Sequence, residues 1–100
     1  MSDLTGKQRR WLRGRAHDLD PVVQLGAKGL TDAVVAEVDR SLEAHELIKV
    51  RLAVDRDERD ATTAELARRT HAHAVGTIGK VAILFRPHPD PEQRELEPPR

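Results

Sequence analysis

The chain has no cysteine and no tyrosine, and its aromatic residues are Trp11 and Phe85 alone. Without cysteine there is no disulfide, no thiolate metal site and no thiol nucleophile. Two rings count against a surface that reads RNA by stacking several bases on exposed aromatics. The serines are Ser2 and Ser41, neither within a GxSxG sequence, and Gly79-Lys80 lacks the rest of a phosphate-binding P-loop. No catalytic constellation emerges, which points away from an enzyme, and no cofactor is implied. No apolar run approaches a membrane span, and Met1 to Lys7 carries no apolar signal core. A soluble, cytoplasmic protein is expected. Charge of one sign is also missing: 17 basic and 17 acidic side chains give a formal net charge of zero. The distribution is uneven, however, with the bases concentrated toward the amino-terminal third.

One hundred residues make one domain with a small aliphatic core. Thr5 to about Leu19 has helical periodicity, with Leu4, Gln8, Trp11, Leu12, Ala16 and Leu19 in one arc and Thr5 as N-cap. Asp20-Pro21 ends that helix, and Val22–Leu25 reads as a short strand. A second helix runs from Thr31 or Asp32 to about His45, with Leu30 and Val35 spaced as a hydrophobic staple if Thr31 is the cap. From Glu46 to Val54, Ile48, Val50, Leu52 and Val54 alternate with Lys49, Arg51 and Ala53, the pattern of a half-buried strand. A third helix spans about Glu58 to Thr70, with Ala61, Ala64, Leu66 and Ala67 as its apolar content. Ala74–Ile78 and Val81–Phe85 complete the strands. The fold class is α/β, an α-β-α-β-α-β-β two-layer sandwich with a four-stranded mixed sheet covered mainly on one face. Residues 1–87 form the folded domain. Residues 88–100 are rich in proline and acid and are expected to be a flexible tail.

Three patterns carry candidate chemistry. The first is Gly26-Ala27-Lys28-Gly29, between a strand and a capped helix. Bare glycine backbone, a lysine and a helix amino terminus together suit a sugar-phosphate chain. A GxxG loop is how KH-type domains hold RNA. A second copy, Gly76-Thr77-Ile78-Gly79, has no helix after it and reads as a bulge or hairpin turn. The second pattern is the basic helix Lys7, Arg9, Arg10, Arg13 and Arg15, where no acidic residue interrupts positions 4 to 17. Lys49 and Arg51 on their strand are candidates to join that surface. The third is His71 and His73, which would share one face of a strand. His45-Glu46 lacks the second histidine of a zinc-protease helix, because Lys49 stands there. No metal site is expected.

Taken together, Leu4-Thr5-Gly6-Lys7-Gln8-Arg9-Arg10, Pro21-Val22-Val23-Gln24-Leu25-Gly26, Lys28-Gly29-Leu30-Thr31, His45-Glu46-Leu47-Ile48-Lys49-Val50 and Leu84-Phe85-Arg86-Pro87 resemble the YhbY family. This is the stand-alone bacterial form of the CRM domain, named for chloroplast RNA splicing and ribosome maturation. The resemblance runs from Leu4 to Pro87. It implies a KH-like RNA-binding domain similar to the C-terminal domain of translation initiation factor three. It also implies association with precursor rRNA of the large ribosomal subunit and with pre-ribosomal particles; separately, a monomer is expected. The family's RNA surface maps onto Gly26, Ala27, Lys28 and Gly29, with Thr31 at the helix start and Lys7, Arg10, Arg13, Lys49 and Arg51 nearby. Many members carry a lysine after the first glycine, where this chain has Ala27. The alternative reading is a protein-interaction module that docks an acidic partner through the basic first helix.

Overall fold

A computed structural model of the chain describes residues 4–100. Met1, Ser2 and Asp3, the start of the segment read for a leader sequence, lie outside the described residues. Three helices and four strands occur in the expected order: α1 (Gly6–Ala16), β1 (Pro21–Leu25), α2 (Asp32–His45), β2 (Leu47–Leu52), α3 (Arg59–Thr70), β3 (His73–Ile78) and β4 (Val81–Phe85). Short 3-10 turns precede α3 and follow Asp90.

Strand order in the sheet is β1-β2-β4-β3. β1 runs parallel to β2, as a β-α-β crossover requires, while β4 is antiparallel to both neighbours. Alternation along β2 sorts its side chains. Ile48, Val50 and Leu52 join Val23, Leu25, Ala82 and Leu84 beneath α2 and α3, with Val38, Leu42, Leu66 and Ala67 from the helices. Leu47, Ile83, Phe85 and Val75 point the other way and pack against Leu12 and Ala16 of α1. Helix cover lies mainly on one face, as expected. α2 and α3 roof one face, and α1 lies across half of the other. The rest of that second face, around Val22, Gln24, Lys49 and Arg51, has no helix over it.

Local chemistry explains the ends of these elements. Thr5 and Gln8 form a reciprocal capping box at α1. α1 stops at Ala16 rather than Leu19. The amides of His17 and Leu19 bond back three residues, to Gly14 and Ala16, which tightens the chain into a turn before Pro21. Leu19 is left 38% exposed instead of joining the core. The Thr31 hydroxyl oxygen caps α2 by accepting from the Val34 amide at 3.2 Å. Leu30 and Val35, the expected staple, both rest on the core.

α3 uses a different face from the one its alanines suggested. Ala61 and Ala64 are exposed, whereas Thr63 and Thr70 are buried beside Leu66 and Ala67. Their hydroxyls donate one turn back, Thr63 to the Arg59 carbonyl at 2.7 Å and Thr70 to the Leu66 carbonyl at 2.8 Å. The polar atoms are thus satisfied and the methyl groups pack. His71 is the left-handed C-cap of α3 (φ 55°), so it does not share a strand face with His73, which stacks on Phe85 instead.

The segment after Pro87 was expected to be flexible, and the structure docks it on the body. Glu46, the C-cap of α2, is only 4% exposed and has φ 61°. Its carboxylate accepts from three backbone amides: His88 at 2.7 Å, Glu95 at 2.7 Å and Leu96 at 3.2 Å. Leu96 packs against the α1 cluster. One buried carboxylate holding three amides offsets the cost of desolvating both.

Candidate nucleic-acid interface

Residues Gly26 to Gly29 connect the carboxyl end of β1 to the start of α2. The Gly29 amide donates to the Gly26 carbonyl at 3.0 Å, closing a tight turn, and Gly29 takes φ 75°. That left-handed conformation makes a side chain at Gly29 costly. Gly26 is different. Its φ is not positive, and a β-carbon placed there would meet nothing within 4 Å. Neither backbone conformation nor packing demands glycine at position 26, but close approach of a ligand backbone would. Among the described residues, nothing accepts from the amides of Ala27 and Lys28, so both are available to an anion. The adjoining helix end adds its own unpaired amides and dipole.

The loop exit is braced from α3. Arg69 donates to the Leu30 carbonyl at 3.4 Å and to the Asp32 carboxylate at 3.0 Å. This ion pair also places a positive charge against the one acidic side chain in the first turn of α2.

The expected basic residues divide into two kinds. Arg9 is structural: its guanidinium donates to the carbonyls of Ala74 and Val75, at the bulge of β3. Arg15 lies over the Trp11 ring, 5.1 Å from its centroid. Lys7, Arg10, Arg13, Lys28 and Arg51 are exposed and form no ion pair with a described residue. Arg13 reaches over β3, where a β-carbon on Gly76 would stand 3.1 Å from its Nη2. The second GxxG is therefore a bulge beneath Arg13 and, at Gly79 (φ 56°), a hairpin turn.

Lys49 and Arg51 do share a surface with α1. Lys49 Nζ donates to the His17 carbonyl at 3.2 Å, and Arg51 pairs in register with Gln24, both on the open part of the sheet. Lys49 pairs with Pro21, and Leu25 leads into Gly26. At about 3.3 Å per residue, the strand carries this face roughly 17 Å from Lys49 to the glycine loop. The structure thus sets Arg13, Lys49 and Arg51 on one face of the sheet, with the glycine loop and Lys28 at the end of its edge strand β1. Thr31 is present at the loop but its oxygen is engaged as a cap.

Behind the sheet, α2 and α3 carry acidic and basic side chains together, among them Glu65 and Arg68. There the hydrogen bond from Arg68 holds the Glu65 carboxyl below its usual range and raises Arg68 in turn. Among the described residues no cluster of side chains could hold a metal ion, and no helix is long and apolar enough to cross a membrane.

Sequence reasoning missed Arg69 and Glu46. Arg69 carried no signal beyond a basic helix end. Glu46 stands in an unfulfilled zinc motif and in the family-like segment His45–Val50, neither of which shows that its carboxylate holds backbone amides.

A small α/β domain with a glycine loop at a helix start and a basic open sheet face defines a class of compact binding domains. The chain belongs to the CRS1/YhbY (CRM) domain family, which it matches over residues 4–86. It is 43% identical over 101 residues to a Haemophilus influenzae protein named an RNA-binding protein, covering 100% of this chain and 99% of that one. It is 38% identical over 94 residues to a Bacillus subtilis protein named a probable RNA-binding protein, covering 93% and 98%. Its fold is similar to the solution structure of a Staphylococcus aureus protein described as a candidate RNA binder. The TM-score is 0.83 at 34% identity, covering 96% of this chain and 99% of that one.

Proposed function

We propose that this protein binds RNA through the Gly26–Gly29 loop and the basic face formed by Lys7, Arg10, Arg13, Lys49 and Arg51. The observation that carries the reading is Gly26, a glycine that neither backbone conformation nor packing requires, next to two amides without acceptors. Ala27 and Lys28 amides and the start of α2 donate to phosphate oxygens, while Lys28, Lys49 and Arg51 neutralise charge. Phosphate contacts position a strand rather than specify its sequence, so the loop itself is sequence-tolerant. The names of the similar proteins support RNA as the ligand.

The finer reading is a non-enzymatic, cytoplasmic, monomeric assembly factor on precursor rRNA of the large ribosomal subunit. It rests on the family resemblance. Sedimentation of cell extract at low and high salt tests it. Co-migration with large-subunit precursors, released by salt, is the expected result. Migration only as free protein at low salt contradicts the assembly role.

A further inference from the structure

The open face holds a second feature beside the basic stripe. A groove of about 510 Å³ lies between the end of α1, the start of β1 and the docked C-terminal segment. Its walls include Arg15, Leu19, Asp20, Val22, Leu47 and Glu95. Leu19 and Val22 are two of the three large apolar side chains left exposed among the described residues, at 38% and 47%. Both converge on this one groove. An exposed apolar pair that lines a concavity is a feature of binding sites.

The geometry points to a nucleobase pocket, a site for one unstacked base of a single-stranded RNA whose phosphates lie on Lys49 and Arg51. This rests on the RNA reading above. Two observations select a base as occupant. The groove adjoins the stripe directly: Lys49 bonds to His17, between the wall residues Arg15 and Leu19, and pairs in register with Pro21, between Asp20 and Val22. Its walls also differ from the stripe in carrying two carboxylates, Asp20 and Glu95, beside Arg15 and His45. Asp20 and Glu95 repel phosphate at the groove, yet they accept hydrogen bonds from the exocyclic amino groups of adenine, cytosine and guanine. Uracil has no such group. The apolar floor takes the base face that a stacked aromatic ring supplies in other RNA binders, a substitution suited to a chain whose rings are partly or fully buried. Glu95 stands at the groove because Glu46 holds its amide, so the docked tail completes the site.

The test compares full-length protein on oligo(A), oligo(C), oligo(U) and an abasic strand of equal length. Oligo(A) and oligo(C) are expected to bind about fivefold or more tightly than the abasic strand, with oligo(U) between them. Leu19→Gln with Val22→Thr, both at exposed positions, should bring oligo(A) down to the abasic level and leave abasic binding and the melting temperature unchanged. Lys28→Glu should weaken all four strands in parallel. Equal binding of abasic and base-bearing strands overturns the pocket while leaving the phosphate clamp intact. A base preference that survives the double substitution places recognition elsewhere and also overturns it. Failure of every strand to bind removes the RNA reading itself.

Discussion

Lys49 Nζ donates to the backbone carbonyl of His17 at 3.2 Å, joining the central strand β2 to the end of α1 across the open face of the sheet. The contact stabilises the last turn of a helix whose carbonyls are otherwise short of donors. It also aligns the charge of α1 with that of Arg51. Lys49→Met keeps the stem and loses the charge. The expected cost in stability is below about 1 kcal/mol, as for other exposed charged contacts. RNA affinity should fall by about fivefold even though the protein stays folded. Thermal melting and RNA titration of the same variant read the two effects separately.

The two loop glycines should respond in opposite ways. Gly29→Ala forces a side chain into φ 75° and should cost about 1 kcal/mol or more in stability. Gly26→Leu meets open space, so its melting temperature should move little, within about 0.5 kcal/mol. RNA binding should nevertheless weaken for Gly26→Leu, because bulk would stand between the loop amides and a phosphate. A Gly26→Leu protein that binds RNA normally would reduce the loop to a turn.

Glu46 should act as a latch for the carboxyl-terminal segment. Glu46→Ala leaves the His88, Glu95 and Leu96 amides without their acceptor, at about 1–3 kcal/mol for each group that stays buried. Release of the segment into water limits the loss. Amide exchange at Glu95 and Leu96 should then rise toward solvent rates while β2 and β4 stay protected. Glu46→Gln keeps Oε1 as an acceptor and should show an intermediate effect. Unchanged protection at residues 95 and 96 would contradict the latch.

Element order and strand positions are legible in the sequence because periodicity is a local signal. The alternation around Val50 and the Thr31 cap are each read from one short stretch of chain. The misjudged parts depend on distant partners. Glu46 finds its acceptor role from amides more than 40 residues away, which no spacing rule encodes, and the tail docks as a result. Thr63 and Thr70 look like surface residues until their hydroxyls bond one turn back and free their methyls to pack. Of the candidate site, the glycine loop and Lys28 could be read directly from flanking elements. That Lys49 and Arg51 share a face with α1 needed the register between β1 and β2.

The central claim is that the loop and the open face grip an RNA backbone by charge and close approach. The direct measurement is RNA affinity against salt concentration, for the natural protein and for Ala27→Asp with Lys28→Glu. If about four phosphates are neutralised, log affinity should fall against log salt with a slope of about −3 on a single strand. The doubly substituted protein should melt normally, bind far more weakly and show a shallower slope. Salt-insensitive binding, or full affinity in the substituted loop, would contradict the account.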